Sequence, residues 1–300
     1  MSVLLFILKL CFLLILVECY VLPRSKSQDR VAHFKTIIAF GDSYTDNESL
    51  AGLYADPKSK IDESSLHPQT TKLIRRASNG PLWIEYLSMD MNDAALYDFA
   101  RSGAAVNNTL TPRLTQDINS QVKYYLNSTI SISKNDSIYF LWSGVNDIND
   151  IFIKYKTDSQ ARRNILDGVI KSITFGMDQL YNIAGAKYVM LLGLIPLEEL
   201  PLYHNVTQEI RTELKYLVDD YNFRLANIIS TGHSSAYFFD IYKLFKESFS
   251  KERLQFNSEF YCHSAIQCGD YIWWDKLHPT TYTHSLIAKA IHDTLLQFGW

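Results

Sequence analysis

Four short segments carry the residue types that a nucleophile, a base and an oxyanion cradle would need. The first is Ile37-Ile38-Ala39-Phe40-Gly41-Asp42-Ser43. Gly41 permits a sharp turn out of an apolar run, and Ser43 is then expected at a helix N-terminus, where backbone N–H groups favour developing negative charge. In the second, Tyr97 to Ala105, Gly103 offers an N–H that no Cβ shields from a ligand. The third runs Trp142-Ser143-Gly144-Val145-Asn146-Asp147, and the Asn146 amide suits an oxyanion. In the fourth, Asp275 and His278 stand three apart before Pro279. One carboxylate at that spacing can orient an imidazole whose other nitrogen faces a serine. Each segment also has an ordinary explanation: a capped strand-to-helix turn, a turn glycine, an Asx turn, a surface histidine. Their weight lies in their consistent order, the first three at the ends of strand-like runs and the fourth just ahead of the final helix.

Those runs are Lys35–Phe40, Ala94–Phe99, Ser137–Trp142, Lys187–Leu192 and Ser235–Asp240, short and rich in Ile, Val, Tyr and Phe. Such runs suit strands buried on both faces. Between them, Ile165 to Ile183 and Ile210 to Ile228 repeat apolar residues at three and four, as amphipathic helices do. A last helix is expected from Pro279 as its N1 residue, carrying Leu286, Ile287, Ala290, Ile291 and Leu295. Alternation of five strands with helices specifies an α/β domain with a mainly parallel sheet. Working residues then belong on loops at the carboxyl ends of the strands.

The chain has 300 residues, 47% apolar and 20% charged, a globular balance with a sizeable core. With 29 basic and 32 acidic residues the net charge is -3, which argues against nucleic acid as a partner. No His-x-x-x-His or His-Glu-x-x-His pattern occurs, so no metal is expected. Val3 to Val17 is apolar but for Lys9, too short for a membrane span. Followed by Val17-Glu18-Cys19, it is expected to be a secretory signal over residues 1–19, with a lead-in over 20–34 and one domain over 35–300. Sequons at Asn47, Asn107, Asn127, Asn135 and Asn205 also favour export. Removing the signal leaves Cys262 and Cys268, six apart, which fit either a small disulfide ring or two buried thiols. The expected location is extracellular or in a cell wall.

Gly41-Asp42-Ser43, Gly103, Gly144-x-Asn146-Asp147 and Asp275-x-x-His278 resemble the four blocks of the GDSL esterase/lipase family, the SGNH hydrolases. The resemblance runs from about Lys35 to Trp300, and it departs at Tyr44, which stands where the family's leucine would. Ser78-Asn79-Gly80-Pro81-Leu82-Trp83, Ser102 to Asn108 and Trp274-x-x-x-His278-Pro279-Thr280 are similar to the secreted fungal acetylesterases of carbohydrate esterase family 16. The resemblance implies a three-layer α/β/α sandwich with a five-stranded, flavodoxin-like sheet. It implies Ser43 as nucleophile, His278 as general base and Asp275 as its orienting partner. The backbone N–H groups of Ser43 and Gly103 and the Asn146 side chain would bind the oxyanion. No cofactor is implied.

The expected substrate is an O-acetyl carbohydrate, with Trp273, Trp274 and Tyr44 offered as substrate contacts, and Trp83 and Trp142 as core. A polar Ala51–Arg76 segment is expected to rim the site and decide acyl length. Asn47 and Asn107, beside two of the blocks, are expected to be the least glycosylated sequons. A lipase or lysophospholipase acting on longer acyl chains is the alternative. A non-catalytic carbohydrate-binding wall protein is disfavoured by the intact set of five residue types. A monomer is expected.

Overall fold

The computed structural model describes residues 33–48, 76–232, 236–249, 261–262, 268 and 271–300. The expected signal over 1–19 and the expected rim over 51–75 lie outside the described residues. Every described residue falls within the unit Ala32–Trp300.

Five strands form one parallel sheet: β1 (Thr36–Gly41), β2 (Ala95–Asp98), β3 (Ser137–Trp142), β4 (Tyr188–Leu192) and β5 (Ala236–Phe239). Their spatial order is β2-β1-β3-β4-β5. All five lie where the apolar runs predict them, within about one residue at each end. β1 and β3 are central, and every residue of both is buried, which is why they read as unbroken apolar runs rather than alternating ones. Their register pairs Gly41 with Trp142, so both strands end level at the same sheet edge.

The helices are α1 (Trp83–Asp90), α2 (Ile118–Leu126), α3 (Val145–Lys154), α4 (Ser159–Gln179), α5 (Gln208–Gly232), the single turn α6 (Ile241–Leu244) and α7 (Thr281–Phe298). α1 packs on α7, while α2, α3 and α5 pack around α4, and the two groups complete a three-layer α/β/α fold. The periodic stretches over 165–183 and 210–228 are α4, with the π turn that extends it, and α5. The short helices α1, α2 and α3 are visible only in the structure.

Two local expectations need correction. Pro279 is not the first residue of the last helix. Thr280 is the N-cap, its hydroxyl accepting from Thr283 N–H at 3.2 Å, and Pro279 pairs across an isolated bridge with Trp273. Ser43 does not open a regular helix either. Residues Asp42 to Asp46 form one turn, closed by Thr45 and Asp46 N–H groups on the Asp42 carbonyl at 3.0 Å each. Among the described residues, no helix is long and apolar enough to cross a membrane.

Candidate active site

The carboxyl ends of β1, β2 and β3 supply three of the expected site residues. Gly41 ends β1 under tight constraint: a Cβ there would lie 2.7 Å from the Trp142 carbonyl oxygen. Gln121, buried on α2, grips both sides of this residue, accepting from Gly41 N–H at 3.0 Å and donating to its carbonyl at 2.9 Å. The turn after β1 is therefore clamped before it presents Ser43, which is 9% exposed.

His278 Nε2 lies 2.9 Å from Ser43 Oγ, and His278 Nδ1 lies 2.8 Å and 3.0 Å from the two Asp275 carboxylate oxygens. Asp275 Oδ1 also accepts the N–H groups of Leu277 at 2.7 Å and His278 at 2.8 Å. Burial alone would raise the Asp275 pKa. The His278 hydrogen bond, the nearby imidazole charge and the two backbone donors outweigh it and hold the carboxyl below its ordinary range. Ser43, His278 and Asp275 thus form a continuous relay, with the ring nitrogens given separate partners.

Gly103 has a φ of +79°, in the region that disfavours side chains. Its turn is pinned on both flanks. Ser102 N–H donates to Asp46 Oδ2 at 2.7 Å, and the Ala104 carbonyl accepts from Asn146 Nδ2 at 2.9 Å. That bond uses one of the two amide hydrogens of Asn146 and leaves the second for another acceptor. Asn146 is the second residue of α3, behind Gly144, whose φ is +113° and where a Cβ would lie 2.5 Å from the Tyr221 ring. Tyr221 donates to the Ser143 carbonyl at 2.7 Å. Gly144 is needed for conformation and for space together.

Several residues take supporting roles that the sequence reading did not give them, although Asp42 and Asp147 stand in its quoted blocks. Asp147 is buried and accepts from Val106 N–H at 3.1 Å and from the Thr111 hydroxyl at 2.5 Å, joining α3 to the Gly103 segment. Its pKa is pushed up to about 6 because burial outweighs those bonds. Arg113 donates to the Asn146 carbonyl at 3.1 Å and to Asp150 at 2.7 Å. Asp42 is buried directly before Ser43; one oxygen accepts from Tyr44 N–H at 3.1 Å, and the other has no hydrogen-bond partner among the described residues. Burial pushes its pKa up to about 7, against the pull of that bond and of His278. Gln121 and Asp147 stand among other polar residues, Asn119 and Ser120 or Asn146 and Asn149, so no local pattern marks them as buried.

The Ser78-Asn79-Gly80-Pro81 stretch secures the start of α7. Ser78 Oγ donates to the Pro279 carbonyl at 2.9 Å, Asn79 Oδ1 accepts from Thr281 N–H at 2.8 Å, and the Thr281 hydroxyl donates to the Pro81 carbonyl at 2.8 Å. Cys262 and Cys268 form a disulfide, with Cα atoms 5.6 Å apart, and Cys262 N–H donates to the Trp273 carbonyl at 2.9 Å. The loop that carries Asp275 and His278 is therefore held from both flanks.

The aromatic expectations divide. Trp83 and Trp142 are core, edge to face with ring centroids 5.6 Å apart. Trp273, expected at the substrate, is 0% exposed and stacks on Phe245 at 5.7 Å, so it offers no face to a ligand. Tyr44 is 1% exposed and is likewise no substrate platform. Trp274 is half-buried and remains near the site through Trp274 N–H, which donates to the His278 carbonyl at 2.8 Å. Among the sequons, Asn127, Asn135 and Asn205 are exposed. The Asn107 side chain is engaged with Ser172 at 3.0 Å and with Thr109.

The family profile described as GDSL-like Lipase/Acylhydrolase matches residues 37–291. An acetylesterase from Hypocrea jecorina is 24% identical over 309 residues, covering 85% of this chain and 87% of that protein. A GDSL esterase/lipase from Arabidopsis thaliana is 24% identical over 361 residues, covering 93% and 90%. The crystal structure of an extracellular lipase from Streptomyces rimosus superposes with a TM-score of 0.47 at 17% identity, covering 86% of this chain and 99% of that one.

Proposed function

Because this chain belongs to the GDSL-like lipase/acylhydrolase family and is a carboxylic ester hydrolase, we propose that it cleaves esters through Ser43, His278 and Asp275. The single observation that carries this reading is the 2.9 Å approach of His278 Nε2 to Ser43 Oγ, with Asp275 on the opposite ring nitrogen. Ser43 Oγ attacks the ester carbonyl while His278 Nε2 takes the hydroxyl proton. Asp275 keeps the ring oriented and stabilises the imidazolium. The negative charge on the carbonyl oxygen is met by the N–H groups of Ser43 and Gly103 and by the second Asn146 amide hydrogen. Collapse expels the alcohol, which leaves with the proton from His278, and an acyl group remains on Ser43. Water then attacks, gives its proton to His278, and releases the carboxylic acid as Ser43 recovers its hydrogen.

The acyl group is acetyl, a reading supported by the similarity to the Hypocrea acetylesterase, and the alcohol is a carbohydrate hydroxyl. Trp274 is the remaining aromatic candidate for a sugar face. One observation favours a second reading, a longer acyl chain. Leu114 is fully exposed beside Thr115, whose methyl lies 3.8 Å from the position a Cβ would occupy at Gly103. The protein is read as secreted after removal of residues 1–19, as a monomer carrying glycans at Asn127, Asn135 and Asn205.

Hydrolysis of p-nitrophenyl esters from acetyl to palmitoyl, with Ser43→Ala alongside, tests both readings. The expected result is turnover strongest on acetyl and a kcat at least about 10⁴-fold lower in the variant. A maximum at long chains would transfer the assignment to lipase. Undiminished turnover in Ser43→Ala would remove Ser43 from the chemistry.

A further inference from the structure

Two turns whose reacting groups are 235 positions apart in the chain must meet within hydrogen-bond distance. The Ser43–His278 bond is a poor device for holding them, because a typical hydrogen bond contributes only about 1 kcal/mol net, and this one must break as the proton moves. Tyr44 bridges the same gap. Its phenol O–H donates to the Leu277 carbonyl at 2.7 Å. Leu277 N–H in turn donates to Asp275 at 2.7 Å. The Tyr44 ring meets the His278 imidazole nearly perpendicularly, with centroids 5.8 Å apart and planes at 85°. Behind it stands Trp142, the last residue of β3, with its ring centroid 5.3 Å away. The Tyr44 backbone N–H is fixed by Asp42. One side chain, on the residue after the nucleophile, therefore touches the sheet, the histidine ring and the peptide between the histidine and its aspartate. Burial, and then the nearby charges of Asp42 and Asp275, keep the phenol protonated well above its ordinary range, so the donor persists at every working pH.

We propose that Tyr44 is a positioning residue that sets the approach of His278 to Ser43 by tying Leu277 to the nucleophile turn. The proposal rests on the reading of Ser43 as nucleophile. It also gives a physical role to the one departure from the family's block. A leucine at this position would fill part of the space and donate nothing to Leu277. Misplacement of reacting groups by even an ångström is costly in rate, because near-attack geometry carries much of the barrier reduction.

Tyr44→Phe keeps the ring and deletes only the donor. On p-nitrophenyl acetate its kcat is expected to fall about tenfold while KM stays within about twofold. The second-order rate of Ser43 phosphonylation by a fluorophosphonate should fall by a similar factor, since that reaction reads nucleophile activation without ester binding. Tyr44→Leu should fall at least as far. Val189→Ala opens a cavity in β4, away from the nucleophile turn; it should lower Tm and keep kcat. The proposal is overturned if both Tyr44→Phe rates match wild type, if the loss is confined to KM, or if Val189→Ala loses as much kcat for an equal loss of Tm. Absence of any Ser43-dependent turnover or phosphonylation in wild type would instead strike the underlying reading of Ser43.

Discussion

Two carboxylates, Asp42 directly before Ser43 and Asp275 hydrogen-bonded to His278, behave in opposite ways. Asp42 belongs to the sheet edge. It is buried, one oxygen has no hydrogen-bond partner among the described residues, and burial drives its pKa up to about 7. Asp275 belongs to the loop before α7. Its side chain is 44% exposed, and His278 with two backbone donors holds its pKa down. The sheet edge is built by strand register and close packing, with Gly41 and Gly144 wedged against Trp142 and Tyr221. The loop has no such lattice and is held by individual links from Ser78, Asn79, Tyr44 and the disulfided segment. Each half is therefore vulnerable to a different kind of change. Removing a side chain that meets the substrate at the sheet edge should act on chemistry with the fold intact, whereas cutting a link to the loop should act through the loop's position and stability.

The largest effect is expected at the sheet edge. Asn146→Ala removes the proposed side-chain donor to the oxyanion and should lower kcat about 10²–10³-fold, equivalent to about 2.7–4 kcal/mol. Tm should barely change, because the lost side chain makes one hydrogen bond, to Ala104. Steady-state kinetics and a thermal melt test this together; an unchanged kcat would remove Asn146 from the oxyanion site.

Next comes the loop. Replacing both cysteines, Cys262→Ser with Cys268→Ser, should lower stability by about 2 kcal/mol, the modest value expected for so small a ring. Here Tm and the lifetime of activity on heating should fall, while kcat at low temperature changes by less than about tenfold. A melt and residual-activity measurements settle it. Activity lost without any change in Tm would mean that the two halves do not differ as described.

The smallest effect sharpens the contrast between the carboxylates. The Asp42 pKa is raised on folding, so its stabilising contribution is complete below the unfolded carboxyl range near pH 4 and is lost as pH rises through about 7. Between pH 5 and pH 6, wild type should therefore lose about 1 kcal/mol more stability than Asp42→Asn. Denaturant titrations at the two pH values measure it. Parallel pH dependence of the two proteins would show that Asp42 is ionised in the fold.

Much of the architecture was legible because its physics is local. Runs such as Ile37–Phe40 and Ile138–Trp142 are apolar throughout, as strands covered on both faces must be. The long amphipathic repeats of α4 and α5 leave an equally plain signal. The three short helices were missed because eight to ten residues leave little periodicity, and α1 even buries a charged residue, Glu85, which pairs with Arg76. Trp273 was misjudged for a related reason. Its neighbours in sequence, Asp275 and His278, line the site, but the isolated bridge to Pro279 and the stack on Phe245 turn its ring into the core.

Residue type and order alone determined the α/β alternation, the sheet edge as the place to look, and the candidacy of Ser43, Gly103, Asn146, Asp275 and His278, because each of those follows from local chemistry and short-range pattern. How Asp275 and His278 are brought to Ser43, which aromatic faces remain accessible, and what the Tyr44 side chain reaches emerge from the folded chain alone. Those depend on contacts between segments far apart in the chain, such as Tyr44 to Leu277 and Gln121 to Gly41, and no local pattern encodes a distance of that kind.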